Sequence, residues 1–134
     1  MALKIPLYQP PVPSTDFSTD ASLCLEGAFP TIRFSYCRGK DAKRSGIRFT
    51  RVLATRTRSE RCCTEWHIQG AYDTLVEVPD SSWVDDLRAD IPVRWRDEQE
   101  MHHYMIYLDS VGCFEVVAAA WEVVPEEAGS WKSI

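Results

Sequence analysis

Residues 102–124 read HHYMIYLDSVGCFEVVAAAWEVV, two apolar runs separated by a short polar turn. Asp109 and Gly112 at the ends of that turn suit a loop built on a type I turn, so the two runs predict an antiparallel hairpin. If Leu108 pairs with Cys113, both faces of this hairpin are largely apolar. Such strands need cover on both sides, and we expect the pair at the centre of the fold.

A second hairpin is predicted nearer the N-terminus. Residues 31–37 alternate apolar and polar side chains. A second strand begins at Ile47, with an apolar face of Ile47, Phe49 and Leu53 and a polar face of Arg48, Thr50, Arg56 and Arg58. The stretch 38–46 between them is rich in glycine and charge and predicts a polar loop. One face of the hairpin is apolar and the other carries arginines, as expected of a sheet with a single buried face.

One helix is predicted, over residues 80–90. Ser81 or Ser82 can accept a hydrogen bond from the free amides of its first turn, and Pro92 ends it. Its apolar side chains recur at helical spacing, so packing against the sheet is expected to hold it. Before the helix, residues 62–78 alternate enough to predict another, interrupted strand.

These elements predict a mostly β domain of the α+β type. The simplest arrangement of these elements is a curved antiparallel sheet or partly open barrel of about five strands with one short helix. The length of 134 residues fits one domain, expected over residues 23–125. Residues 1–22 are proline-rich and predict an arm that is either draped on the domain or disordered, and residues 126–134 predict a flexible tail.

Composition favours a protein of the cytoplasm. The formal charge of −5 argues against indiscriminate binding to nucleic acid or anionic lipid. No apolar run has the length of a signal peptide core or a membrane span, so no membrane partner is expected. The five cysteines lack CxxC spacing and are expected to be buried, reduced thiols. The lack of asparagine and the excess of arginine (11) over lysine (4) indicate a GC-rich, bacterial genome.

The motifs of common catalytic frameworks are missing from the sequence, among them glycine-rich phosphate loops and the GxSxG and HExxH patterns. His102 and His103 invite a metal site, but adjacent residues of a strand point to opposite faces, so their rings do not converge on one ion. We expect one histidine in a hydrogen bond and the other at the surface. No cofactor, metal site or catalytic residue is predicted.

Glu115 is the most informative polar residue, because a carboxylate within an apolar strand is costly unless it is paired or protonated. In the register given above it shares a face with His102 and Tyr104. Arginines of other strands could also reach it. The structural interpretation is a buried ion pair or an edge-exposed residue, and the functional one is a pocket acid with a raised pKa. That pocket would lie between sheet and helix, lined by Trp66, Trp83, His102, Tyr104 and Glu115.

Charge is unevenly distributed along the chain. Residues 31–61 carry a net charge of +8 from ten basic and two acidic side chains, and residues 73–134 carry −10 from four basic and fourteen acidic ones. The two halves can neutralise one another across the fold. Otherwise two surfaces are candidates for a partner, an arginine stripe on the first hairpin (Arg33, Arg48, Arg56, Arg58) and the acidic side of the helix (Asp85, Asp86, Asp90).

We interpret the chain as a non-catalytic partner-binding protein, such as a small inhibitor or immunity-type protein that neutralises an enzyme through charged surfaces. The partner would be another protein. Nucleic acid is not expected, because the arginine face lacks aromatic side chains that stack on bases. The alternative is a small-molecule-binding β-domain or minor enzyme with the pocket described above. A third hypothesis is a structural subunit that self-associates through a sheet edge, so monomer and homodimer both stay open.

Overall fold

The alternating segments of the chain form two antiparallel sheets in a computed structural model that describes residues 3–131. The strands of the five-stranded sheet are β1 (Ile5–Tyr8), β5 (Ala54–Ser59), β6 (Leu75–Glu77), β7 (His102–Leu108) and β8 (Gly112–Ala118). Those of the four-stranded sheet are β2 (Ser22–Cys24), β3 (Thr31–Arg38), β4 (Asp41–Thr50) and β9 (Ala120–Ala128). Their spatial orders are β1-β6-β7-β8-β5 and β2-β3-β4-β9. The mostly β, antiparallel prediction is confirmed, with nine strands in the described range where about five were expected.

The two sheets share one core, because each has a continuous apolar side. Alternate residues of β3 and β4 point inward and meet alternate residues of β7 and β8. Removing this apolar surface from water is the main term that stabilises the fold. The largest buried side chains of the shared core are Ile32, Phe34, Tyr36, Ile47, Phe49, Leu75, Tyr104, Ile106, Leu108, Phe114 and Val116.

The chain crosses between the sheets three times in the described range: residues 9–21 lead from β1 to β2, and the other two crossings are neighbours. Residues 51–53 lead from β4 to β5, and Ala119 leads from β8 to β9. The backbone N–H of Ala119 donates to the carbonyl oxygen of Thr50 at 3.0 Å, so the two crossings are hydrogen-bonded together. Arg51 adopts φ 54°, the left-handed conformation of a sharp turn. The sequence predicts a single continuous strand through each of these two crossings. That prediction is wrong, because each run of residues is divided between two strands in different sheets.

The register predicted for the last hairpin is wrong by one residue. β7 and β8 pair Leu108 with Gly112, not with Cys113. Gly112 is therefore the first residue of β8; its φ is 122°, and a Cβ atom there would lie 2.1 Å from the carbonyl oxygen of Arg58 in β5. Only glycine tolerates that conformation and that approach. A shift of one residue exchanges the faces of a strand, which changes the neighbours of Glu115.

The first hairpin is confirmed, with Thr31 opposite Arg48 and Arg38 opposite Asp41 in an antiparallel pair. The polar loop predicted over residues 38–46 is wrong, since β3 and β4 continue through most of it. Only Gly39 and Lys40 lie between the strands, and Gly39 has the positive φ of 64° that a tight turn requires.

Three helices occur in the described range: α1 (Glu65–Ile68), α2 (Ser82–Asp90) and α3 (Val93–Arg96). The predicted helix is confirmed as α2, and Ser81 caps it by accepting a hydrogen bond from the N–H of Val84 at 3.2 Å. Pro92 ends α2 but also begins α3, which the sequence did not predict. The strand predicted over residues 62–78 is wrong except at β6, because α1 and tight turns occupy most of that stretch.

Both ends of the described chain belong to the sheets. β1 in the predicted arm is an edge strand that pairs with β6. The flexible tail expected from residue 126 is wrong up to residue 131, since β9 runs to Ala128 and the indole N–H of Trp131 donates to the carbonyl oxygens of Phe34 and Ser45 at 3.1 and 2.8 Å. The remaining parts of these two predictions, residues 1–2 and 132–134, lie outside the described residues.

All five cysteines are free thiols. Cys113 is buried as expected, but Cys37 and Cys62 are exposed, so the prediction of uniformly buried cysteines is wrong. Within residues 3–131, no helix has the length and apolar character needed to cross a bilayer.

Candidate functional site

Glu115 lies on the outer face of the five-stranded sheet, away from the shared core. The observed register places Met105 opposite Glu115, so His103 and Cys113 share its face. Tyr104, by contrast, belongs to the shared core. Glu115 is only 3% exposed, because α2 and its neighbours cover this part of the sheet. Its histidine neighbour is therefore His103, and the expected grouping with His102 and Tyr104 is wrong.

A chain of hydrogen bonds links α2 to β5 through Glu115. The Ser81 Oγ lies 2.7 Å from Nδ1 of His103, and Nε2 of His103 lies 2.8 Å from Oε1 of Glu115. On the other side, Nε of Arg56 donates to Oε2 at 2.8 Å and Nη2 donates to Oε1 at 3.0 Å. We call these four residues the buried relay. Since a carboxylate only accepts, Nε2 of His103 carries a hydrogen, and in the neutral form of the ring Nδ1 accepts a hydrogen bond from the Ser81 hydroxyl.

Trp83, on the first turn of α2, covers the buried relay. Its ring meets the ring of His103 edge-on, with centroids 5.0 Å apart, and the guanidinium carbon of Arg56 lies 4.0 Å from its centroid. A guanidinium over an indole ring at this distance is a favourable cation–π contact. The same side chain therefore packs on both the histidine and the arginine that hold Glu115.

The pKa of Glu115 follows from these contacts. Burial alone would raise it, but the hydrogen bonds from His103 and Arg56, together with the Arg56 charge, outweigh burial and lower the pKa from 4.5 to about 2. The carboxyl is thus ionised at neutral pH. The predicted ion pair is confirmed, with Glu115 buried and the Arg56 side chain 46% exposed, and the expected raised pKa is wrong.

Ser81 and His103 also border an open cleft of about 220 Å³ between α2 and the strands β6 and β7. Its charged lining consists of Glu77, Asp80 and Asp85 with one arginine, Arg88. Ser81 and His103 thus line the wall of a cleft of predominantly negative charge, with 8% and 2% of their surface exposed.

Only some of the pocket residues predicted from the sequence lie together in the structure. Trp83 and Glu115 belong to the same cluster, between sheet and helix as expected. Trp66 lies in α1 and packs in a second apolar cluster on the same outer face. Tyr104 faces the shared core, and half-exposed His102 binds Glu77 at 2.9 Å and Glu100 at 3.0 Å. Hydrogen bonds to Glu100 and Glu77 raise the pKa of His102, against its partial burial.

Ser81 and His103 are the members of the cluster that sequence reasoning missed as site residues. Ser81 was a capping candidate, and His103 was placed on the other face from Glu115 by the wrong register. Recognising Gly112 as the first residue of β8 would have placed His103 beside Glu115.

The arginine stripe predicted on the first hairpin does not exist as one surface. Arg33 and Arg48 lie in the four-stranded sheet, and Arg56 and Arg58 lie in the five-stranded one. Several arginines are paired with glutamates of the C-terminal half, so the predicted neutralisation is confirmed for them. These pairs are Arg38–Glu126 at 2.7 Å, Arg44–Glu127 at 2.8 Å, Arg48–Glu122 at 2.7 Å and Arg56–Glu115 at 2.8 Å.

Aromatic rings do lie beside the arginines of the four-stranded sheet, contrary to expectation. The guanidinium carbon of Arg33 is 4.5 Å from the centroid of Trp131, and that of Arg48 is 5.8 Å from the centroid of Phe29. Both rings are thus already in contact with the chain's own cations, which leaves these arginines with intramolecular partners.

The acidic side of α2 belongs to a long connection, residues 78–101, which joins β6 to β7. We call it the helical connection. Those strands are antiparallel neighbours, which two to five residues suffice to join. Asp85, Asp86 and Asp90 are exposed on α2, and within residues 3–131 no basic nitrogen lies within 4.0 Å of their carboxylates.

The helical connection also exposes two large apolar side chains. Val93 is 76% exposed and Trp95 is 45% exposed, both on α3. The corner between α2 and α3 is held by Arg96, whose Nη2 donates to the carbonyl oxygens of Ala89 and Ile91 at 3.2 and 3.0 Å. Val93 and Trp95 are therefore presented on an ordered corner rather than on a free loop.

Comparison with known proteins found no matching family model, curated protein or solved structure. Function therefore has to follow from the geometry of the chain itself.

Proposed function

We propose that the chain is a partner-binding protein of the inhibitor or immunity type, whose helical connection docks on a basic surface of another protein. The observation that carries this proposal is the exposure of Val93 (76%) and Trp95 (45%) on a segment that also exposes carboxylates with no basic partner among residues 3–131. Those carboxylates are Asp85, Asp86 and Asp90. Arg94 lies beside the anchor, its guanidinium carbon 5.2 Å from the centroid of Trp95. An exposed apolar anchor with charged residues around it is a usual composition of a specific protein interface.

The two kinds of side chain contribute differently to such an interface. Trp95 is the type of residue most often found as a binding hot spot, where truncation costs about 2 kcal/mol or more of binding free energy. The carboxylates of α2 accelerate encounter with a basic partner and make its affinity depend on salt. The acidic side of α2 therefore favours a partner of positive surface charge.

The helical connection adds little to the core that would explain its length. Neither α2 nor α3 contains a fully buried residue. Ordering a segment costs conformational entropy, which burial normally offsets. Long ordered connections with little burial are commonly functional. The buried relay supplies the anchor, since Ser81 ties the start of α2 to His103 in β7.

The arginines are the weaker candidate for a docking surface. Arg48 and Arg56, two members of the predicted stripe, already bind glutamates of the same chain. A partner would have to displace those carboxylates or share them, which reduces the gain from a new ion pair. The acidic residues of α2 have no such competitor among the described residues.

The test is capture of partners from a lysate of the organism that encodes the chain, with matched variants. The docking variants are Asp85→Lys/Asp86→Lys/Asp90→Lys and Trp95→Ser. The control is Asp16→Lys/Asp20→Lys/Glu26→Lys, which changes the charge equally at exposed sites outside the helical connection. We expect the wild type and the control to retain one basic protein stoichiometrically, and both docking variants to lose it. Equal capture by all four proteins, or no stoichiometric partner, contradicts the proposal.

A second candidate function is a small-molecule-binding domain or minor enzyme with its site between the five-stranded sheet and α2. One observation favours it: the Ser81 hydroxyl and the His103 imidazole, 2.7 Å apart, both border the open cleft. A hydroxyl hydrogen-bonded to an imidazole beside a cleft is a recurring arrangement in nucleophilic catalysis.

A further inference from the structure

We propose that Ser81 is an acyl-accepting nucleophile, and that the cleft between α2 and β7 hydrolyses short-chain carboxylic esters. The proposal rests on the second candidate function, and its site shares only Asp85 with the docking surface. Docking involves the exposed carboxylates and Trp95, whereas the esterase site lies at the N-terminal end of α2, next to β7.

The first support is the order of groups in the buried relay: hydroxyl, imidazole, carboxylate. The contacts are 2.7 Å from Ser81 Oγ to Nδ1 of His103, and 2.8 Å from Nε2 to Glu115. In serine proteases the hydroxyl binds Nε2 and the acid binds Nδ1. The nitrogens are exchanged here, but the roles are kept, because either ring nitrogen accepts a proton once the other carries the hydrogen. Nδ1 is then the general base, and ionised Glu115 stabilises the imidazolium.

The second support is the end of α2 itself. The first N–H groups of a helix have no acceptor within the helix. Here the N–H of Val84 donates to the Ser81 hydroxyl and that of Asp85 donates to the Ser81 carbonyl oxygen. The N–H groups of Ser82 and Trp83 remain, adjacent in sequence to the nucleophile. Backbone N–H groups in that position, at the positive end of the helix dipole, stabilise a developing oxyanion.

The reaction is balanced with water as the second reactant. Ser81 Oγ attacks the carbonyl carbon of the ester while its proton passes to Nδ1 of His103. The bond from that carbon to the alkoxy oxygen breaks, the imidazolium returns the proton to the alkoxide, and an alcohol leaves. Water then attacks the acyl-Ser81, gives a proton to Nδ1, and the carboxylic acid departs as the proton returns to Oγ.

The cleft restricts the class of ester. Its volume of about 220 Å³ suits a small acyl group, and its apolar lining includes Val84 and Met101. The carboxylates of Glu77, Asp80 and Asp85 repel anionic substrates. Neutral or cationic esters of short carboxylic acids are therefore the expected substrates.

The experiment uses the full chain and p-nitrophenyl acetate as the probe. We expect release of p-nitrophenol and, after rapid quenching, one acetyl group that peptide mapping places on Ser81. Ser81→Asp keeps a side chain that caps α2, so it is expected to fold but to lose activity, and His103→Gln is expected to lose about 100-fold or more. Ser22→Ala, at an exposed serine of β2 outside the cleft, is the control and keeps full activity.

Glu115 and Arg56 act through His103 and are positioning residues. Glu115→Gln is expected to move the pH–rate profile as well as lower its maximum, whereas a purely structural loss would scale the profile without moving it. Acetylation at another residue, no acetylation, or unchanged activity in Ser81→Asp overturns the proposal. If Ser81→Asp still captures the basic partner, the docking proposal stands whatever the esterase result.

Discussion

Replacing Glu115 with glutamine removes the central charge of the buried relay while keeping its size. The amide oxygen can still accept a hydrogen bond from His103, so the change in unfolding free energy reports mainly the lost charge. The pKa of Glu115 is lowered from 4.5 to about 2. At about 1.4 kcal/mol per pKa unit, this difference corresponds to about 3 kcal/mol of stability at neutral pH. That figure is a large part of the stability of a domain of this size.

The sign of the pH dependence follows from the direction of the pKa change. Because the pKa of Glu115 is lower in the folded state than in the unfolded chain, its stabilisation is complete well above pH 4.5 and is lost as the pH falls towards 2. About 60% of it is lost at pH 3. The glutamine variant has no such titration, so the difference between the two proteins should shrink to about 1.4 kcal/mol at pH 3.

The assay is urea unfolding of the wild type and Glu115→Gln at pH 7 and pH 3, followed by tryptophan fluorescence. Glu122→Gln is the matched control, because Glu122 also pairs with an arginine but its side chain is 55% exposed. We expect the control to lose less than about 1 kcal/mol at pH 7. Equal stability of the wild type and Glu115→Gln at pH 7, or a difference that does not change with pH, would refute the reasoning.

Further substitutions test other parts of the fold. Gly112→Ala adds a Cβ atom to a residue with φ 122°, where that atom would lie 2.1 Å from the Arg58 carbonyl oxygen. We expect thermal unfolding to show a loss of about 3 kcal/mol or more in unfolding free energy. An unchanged melting temperature contradicts this. Tyr36→Phe removes the hydroxyl that donates to Glu126, so the urea midpoint should fall; no change would mean that this bond adds nothing. Trp83→Ala uncovers the buried relay, and we expect a loss of about 3 kcal/mol in urea unfolding, whereas a loss below about 1 kcal/mol contradicts the packing described.

The sequence predicted local structure correctly where contacts between residues close together in the chain determine that structure. The alternation of residues 31–37 and the capping serine of α2 depend on contacts within a few residues, and both predictions hold. The opposite facing of His102 and His103 follows from strand geometry alone, and the two side chains have separate partners. The pairing of Glu115 with an arginine follows from the cost of burying a lone carboxylate.

The remaining errors arose where contacts between distant parts of the chain decide the structure. β5 lies beside Gly112, where a Cβ would clash with the carbonyl oxygen of Arg58, and no pattern within the hairpin reveals that Gly112 belongs to β8. An apolar run such as that around Ala119 serves equally well as one strand or as two strands in different sheets. The arginine stripe was divided for the same reason, because its residues lie on both sides of a crossing between sheets.

The most direct test of the proposed docking surface is hydrogen exchange, measured by mass spectrometry on the free chain and on the complex isolated from its host. We expect binding to protect amides of α2 and α3 within residues 82–96, and to leave the exchange of β3 and β4 unchanged. The opposite pattern, with protection on β3 and β4 and none on the helical connection, would contradict the proposal and return attention to the arginines.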